Sequence, residues 1–122
     1  MATQAEQLRA MTKQFAIRIV RFFKSLPKPE EARIIGKQGL RAGTSVAANY
    51  RAACRARSKP ELISKMGVVV EEADETVFWL ERLVDTGIVR KALMQNLLSE
   101  ANELLAIFAA SNWTARQMRK GQ

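Results

Sequence analysis

Histidine is missing from the 122 residues, and cysteine occurs once, as Cys54. Without histidine there can be no zinc site built on imidazole and no Ser-His or Cys-His nucleophile pair. The Glu-x-x-His ligands of di-iron bundles are excluded too. A single cysteine cannot close an internal disulfide, which fits a reducing compartment. Cys54 itself is read as a small core residue. Long apolar runs are also lacking, and nothing approaches the ~20 residues that span a bilayer. The opening MATQAEQLRAMTK has no apolar centre of the kind a signal peptide needs. The expectation is a cytoplasmic protein with no membrane partner. No segment alternates with period two, so strands are not expected. No G-x-x-x-x-G-K pattern marks a P-loop. No repeat, low-complexity tract or linker divides the chain, which is read as one domain over 1–122.

Apolar residues and positive charge are plentiful. Hydrophobic residues make up 48% of the chain and prolines number only three, a composition unlike that of a disordered segment. Twenty Lys and Arg against twelve Asp and Glu leave a formal charge of +8, which favours an acidic partner, nucleic acid first.

Start and stop signals predict four helices in an antiparallel up-down-up-down bundle, at about 3–26, 30–57, 59–86 and 89–112, with a basic tail over 113–122. Thr3-Gln4-Ala5-Glu6 and Ser58-Lys59-Pro60-Glu61 are capping boxes, the second with proline in the first turn. Leu8, Met11, Phe15, Ile19, Phe22 and Leu26 form the stripe of the first helix, which Pro27 and Pro29 end. Glu30 and Glu31 suit the start of the second. The third buries Leu62, Met66, Val69, Ala73, Val77, Leu80 and Val84, and Gly87 is its C-cap. Leu93, Leu97, Ala101, Leu104 and Phe108 mark the face of the fourth.

The second helix has two faces. At 100° per residue Arg33, Lys37, Arg41, Arg51 and Arg55 lie within roughly 80° of one another, a basic stripe about five turns long. Opposite lie Ile35, Gly36, Gly39, Ala42, Gly43, Val46, Tyr50, Ala53 and Cys54. An interior glycine costs about 1 kcal/mol against alanine, so three of them imply close approach of a neighbouring helix. Asn49 borders this face and is read as an amide bonded to a neighbouring helix. The stripe is the candidate nucleic-acid-binding surface, with Arg57, Lys59, Arg116, Arg119 and Lys120 adding to it. The first and second helices each carry about +4, and the third about −4 with its run Glu71-Glu72-Ala73-Asp74-Glu75. The competing reading has those acids consuming the arginines, leaving a protein-interaction scaffold.

The helices also carry more apolar surface than one bundle seam requires. Met94, Leu98 and Leu105 widen the fourth helix, Ile17 and Val20 lie off the stripe of the first, and Phe78 and Trp79 point away from that of the third, with Val68 on the Trp79 side. A homo-oligomer is expected, with Ile17, Val20, Phe78, Trp79, Leu98 and Leu105 at the interface. An enzyme reading rests on Glu71, Glu72 and Glu75, an E-E-x-x-E pattern of the kind that opens the magnesium site of all-α nucleotide pyrophosphatases. The second acidic pair would be Glu100 and Glu103, spaced E-x-x-E where those enzymes have E-x-x-D. The fit is partial, so no catalytic residue, metal or cofactor is assigned.

Gln38, Arg41, Gly43-Thr44-Ser45-Val46, Ala48-Asn49-Tyr50-Arg51, Ala56, Ser58, Lys65, Glu72, Glu75-Thr76 and Trp79-Leu80 together resemble the bacterial four-helix-bundle proteins encoded in ribosomal RNA intervening sequences. That family is related to the accessory variability proteins of diversity-generating retroelements. The resemblance covers about residues 10–112 and is densest in T-S-x-x-A-N-Y-R and E-T-x-x-W-L. It implies a cytoplasmic bundle assembled as a ring-like homopentamer, without known catalytic activity. For the retroelement relatives it implies a basic nucleic-acid-binding surface and a reverse transcriptase partner. Ala52 stands where many members carry an acid, so any role for that position does not transfer.

Overall fold

The computed structural model describes residues 1–120, with side chains through Met118. Four helices follow one another: α1 (Gln4–Lys24), α2 (Glu30–Cys54), α3 (Lys59–Asp85) and α4 (Lys91–Lys120). Each packs chiefly on its chain neighbour, α1 touches α4 only lightly, and the diagonal pairs keep their backbones apart, with the rings of Tyr50 of α2 and Phe108 of α4 meeting across the core at 5.0 Å. This is the all-α four-helix bundle that the periodicity predicts. Among the described residues no helix is long and apolar enough to cross a membrane.

Both capping boxes form, each with its own variation. The Glu6 amide donates to Thr3 Oγ1 at 3.1 Å, while the Thr3 hydroxyl donates back to the Glu6 carboxylate. The Glu61 amide donates to Ser58 Oγ at 3.2 Å, and the Glu61 carboxylate accepts from the Arg57 amide. Gly87 has φ +76, the left-handed conformation that favours glycine, and its amide closes on the Val84 carbonyl.

Boundaries differ from the sequence reading at several points, α1 ending at Lys24 and not at Leu26. α2 stops at Cys54, not Arg57, because Ser58 must be extended to cap α3 and the Arg55 and Ala56 amides tighten onto the carbonyls three residues back. α4 starts at Lys91, since the Val89 amide is spent on Leu83 and its side chain is buried. It then runs on through Lys120, where a tail was expected, because no glycine or proline interrupts it before Gly121.

Phe15, Ile19, Val46, Val69, Leu80, Leu83, Met94, Leu104 and Phe108 fill the centre. α4 corrects one expectation: Leu93 is 64% exposed and Met94 is fully buried. Met94, Leu97, Ala101, Leu104 and Phe108 keep strict 3-4 spacing, and Leu93 falls a step of 100° away. Cys54 is a second correction, exposed at the last turn of α2. Asn49 is a third: its amide donates to the Ser45 carbonyl of its own helix at 2.8 Å.

The small face of α2 lies inward, against α1. A Cβ on Gly36 would meet Leu26 at 2.8 Å, one on Gly39 the Phe23 ring at 2.5 Å, and one on Gly43 Ile19 at 2.9 Å. Descending α1 side chains thus seat in successive glycine notches of α2, and its charged face is left to solvent.

Candidate nucleic-acid interface

The stripe on α2 is interrupted at its middle. Arg41 Nη1 lies 3.2 Å from Glu72 Oε2, and its Nη2 lies 2.6 Å from Glu75 Oε1. The hydrogen bond from Arg41 holds the Glu75 carboxyl below its ordinary range, and the Trp79 indole adds a donor to the same oxygen. The same bond, with the Glu72 charge beside it, raises the Arg41 guanidinium further. Arg41 is committed to α3, as the competing reading anticipated for the whole stripe, and it leaves the phosphate-binding set.

Two basic patches remain, Lys37 and Arg51 being about 21 Å apart along the axis. Toward the start of α2, Arg33 and Lys37 share a cleft with Lys24 and Lys28 at the α1–α2 turn, over Phe23, Leu26 and Leu40. Toward its end, Arg51 and Arg55 face Arg9 and Lys13 of α1 across a groove of about 620 Å³. Thr44, Ala47 and Ala48 keep that groove open, and no carboxylate lines it. Among the described residues none of these eight cations is ion-paired. Arg9 and Lys13 were missed in the sequence. Their i, i+4 spacing sets them on one side of α1, but only the packing reveals that this side borders Arg51 and Arg55.

The other predicted basic residues are scattered. Arg57 stands with Arg51, Arg55 and Lys65 on the α3 side, where Lys65 is 4.0 Å from Glu61. Lys59 and Arg57 rim a cleft at the end of the bundle. Arg116 is exposed, its guanidinium passing over Gly67 of α3. Arg119 and Lys120 have side chains outside the described residues.

The predicted interface residues also divide. Phe78, 44% exposed, and half-buried Trp79 meet edge to face at 4.9 Å, with the Arg82 guanidinium 4.7 Å from the Phe78 ring centre and Val68 exposed on the same helix. Val20 is exposed, while Ile17 lines the α1–α2 groove beside the cations. Leu98 and Leu105 lean against the core. Ile34, Trp113 and Met118 are exposed apolar residues that the sequence reading did not single out.

The acidic pattern does not gather as a magnesium site would. Glu72 and Glu75 are turned to Arg41, and Glu100 is paired with Arg18 of α1. No group of three or more potential ligands converges among the described residues.

The fold and this surface define a basic all-α bundle whose acidic helix is partly neutralised from within. The chain belongs to the 23S rRNA-intervening sequence protein family, which it matches over residues 6–110. It is similar to the crystal structure of a protein of unknown function from the S23 ribosomal protein family of Bacteroides thetaiotaomicron VPI-5482. The two are 29% identical with a TM-score of 0.83, and the match covers 90% of this chain and 98% of that one. Among curated proteins, none matches it.

Proposed function

We propose that the protein is a non-catalytic, oligomeric bundle that binds RNA or DNA through phosphate contacts. The observation that carries this reading is the groove in which Arg9, Lys13, Arg51 and Arg55 converge without a carboxylate. Four cations so placed repel one another, and a phosphate backbone relieves the repulsion while releasing condensed counterions. No recognised base-reading motif is present, so the binding is largely independent of sequence. Repetition of the groove in an oligomer raises the avidity of a weak site. The Arg41 triad favours the scaffold reading for the middle of α2 only, since the end of the helix keeps its charges free.

Filter binding at two salt concentrations tests this, using wild type, Arg51→Glu/Arg55→Glu and Arg9→Glu/Lys13→Glu. Wild type is expected to bind at low salt and to weaken steeply as salt rises. Each double variant, once shown to keep its helix content and assembly state, is expected to bind far more weakly. Intact variants that bind like wild type would make the groove structural and leave the scaffold reading.

A further inference from the structure

At the end of the bundle where α1 and α3 begin lies a cleft of about 830 Å³. Leu8, Ala53, Leu62 and Met66 make it apolar within, Arg9, Arg57 and Lys59 rim it, and no carboxylate lines it. Tyr50 also lines the cleft, although only 7% of its surface is exposed. Its hydroxyl makes no hydrogen bond of ordinary geometry among the described residues. The groups beside it are the Cys54 thiol, a weak partner at best, and the Arg9 guanidinium. Burial pushes the phenol up to about 12, with the adjacent thiol adding to the rise, so the hydroxyl keeps its proton and can donate it to a ligand.

The cleft is continuous with the basic surface. Arg9 lines both the cleft and the α1–α2 groove, and Arg57 lines both the cleft and the groove beside α3. A strand following Arg9 out of the α1–α2 groove reaches the cleft without crossing negative charge, whereas the groove beside α3 includes Glu61.

We infer that this cleft receives one unpaired nucleobase of the bound strand, with the flanking phosphates on Arg9 and Arg57, so that the ligand is single-stranded or looped nucleic acid. A nucleobase has apolar faces and a polar edge. Leu62 and Met66 suit the faces, and the Tyr50 hydroxyl meets the edge. A fully paired duplex keeps its bases stacked and has none to offer. This inference rests on the nucleic-acid reading above and deepens it.

The test is fluorescence polarisation at low salt with the full chain and two oligonucleotides of equal length, one of thymidine and one of abasic sites. The strands share their phosphates and differ only in having bases. Wild type is expected to bind the thymidine strand about tenfold tighter. Ala115→Trp fills the cleft from a half-buried position on α4. It is expected to erase that difference and leave abasic binding unchanged. Tyr50→Phe is expected to shrink the difference. Should Ala115→Trp lose helix content, Ala56→Trp in the α2–α3 turn replaces it. Equal affinity of wild type for the two strands, or discrimination that survives the filled cleft, overturns the cleft assignment and leaves the groove standing. Failure to bind either strand at low salt overturns the groove and the cleft together.

Discussion

Gly43 has no room for a side chain, because a Cβ there would lie 2.9 to 3.1 Å from three atoms of Ile19, itself fully buried. Gly43→Leu is expected to cost roughly 1–3 kcal/mol by forcing α1 off α2. Gly67 is the contrasting case. It sits inside α3 with only the Arg116 guanidinium at 3.7 Å from an added Cβ, an ordinary contact. Gly67→Ala is therefore expected to stabilise by about 0.4–1 kcal/mol, mainly by restricting the unfolded chain. Urea denaturation of both variants beside wild type is the measurement, and an unchanged midpoint for Gly43→Leu would mean that α2 is turned the other way. Tyr50 offers a spectroscopic check at the same scale, because it is the only tyrosine in the chain. Its phenolate absorbance is expected to appear at about pH 12 in the folded protein, against an ordinary value of 10.0. The stability that the neutral phenol contributes is complete below pH 10 and is lost as pH rises toward 12. Ionisation near the ordinary value would show the hydroxyl already solvated.

Among the elements, α2 shows what a sequence can and cannot disclose. Its two faces were legible, because a helical wheel needs only the period, and Gly36, Gly39 and Gly43 lie inward as that wheel requires. The partners of each face were not. Whether Arg41 meets solvent or Glu72 and Glu75 depends on the rotation of α3 about its own axis, and the gathering of Arg9 and Lys13 with Arg51 and Arg55 depends on α1. Leu93 and Met94 differ by one position, and which of them turns inward was settled by the closure of the α3–α4 turn around Val89. Cys54 was read as core because its angle on the wheel is right, but α2 ends there and the last turn is not covered. The Arg41 triad carries a pH signature. Because Arg41 holds the Glu75 carboxyl below its ordinary value of 4.5, the ionised pair stabilises the fold above that value and stops doing so as pH falls through the lowered one. Glu75→Gln is expected to be less stable than wild type at neutral pH, with the gap closing as pH falls below the lowered Glu75 value, where wild type has lost the same contribution. A stability gap that persists unchanged in acid would assign the effect to packing around Trp79.

For the whole molecule, the exposed residues of the predicted interface lie on diagonally opposed helices. Val20 belongs to α1, and Val68, Phe78 and Trp79 belong to α3, its diagonal counterpart in the bundle. A two-fold dimer buries one patch against its own copy and leaves the other exposed. A cyclic assembly sets the α1 side of each protomer against the α3 side of the next and covers both, which is the geometry of a closed ring. It also brings the basic first helix of one chain toward the acidic third of its neighbour, where Glu71 and Asp74 make no ion pair among the described residues. Together with the resemblance to ring-forming bundles, this makes a pentamer the expected state. Light scattering at micromolar concentration should then give about five times the 13.7 kDa of one chain. Trp79→Lys should dissociate the ring and leave each bundle folded, because Trp79 is half-exposed and a lysine there can pair with Glu75 one turn before it. A dimer mass would point to a two-fold contact and remove the ring. A monomer mass would remove the interface as well, leaving Phe78 and Trp79 as surface aromatics held by Arg82 and Glu75.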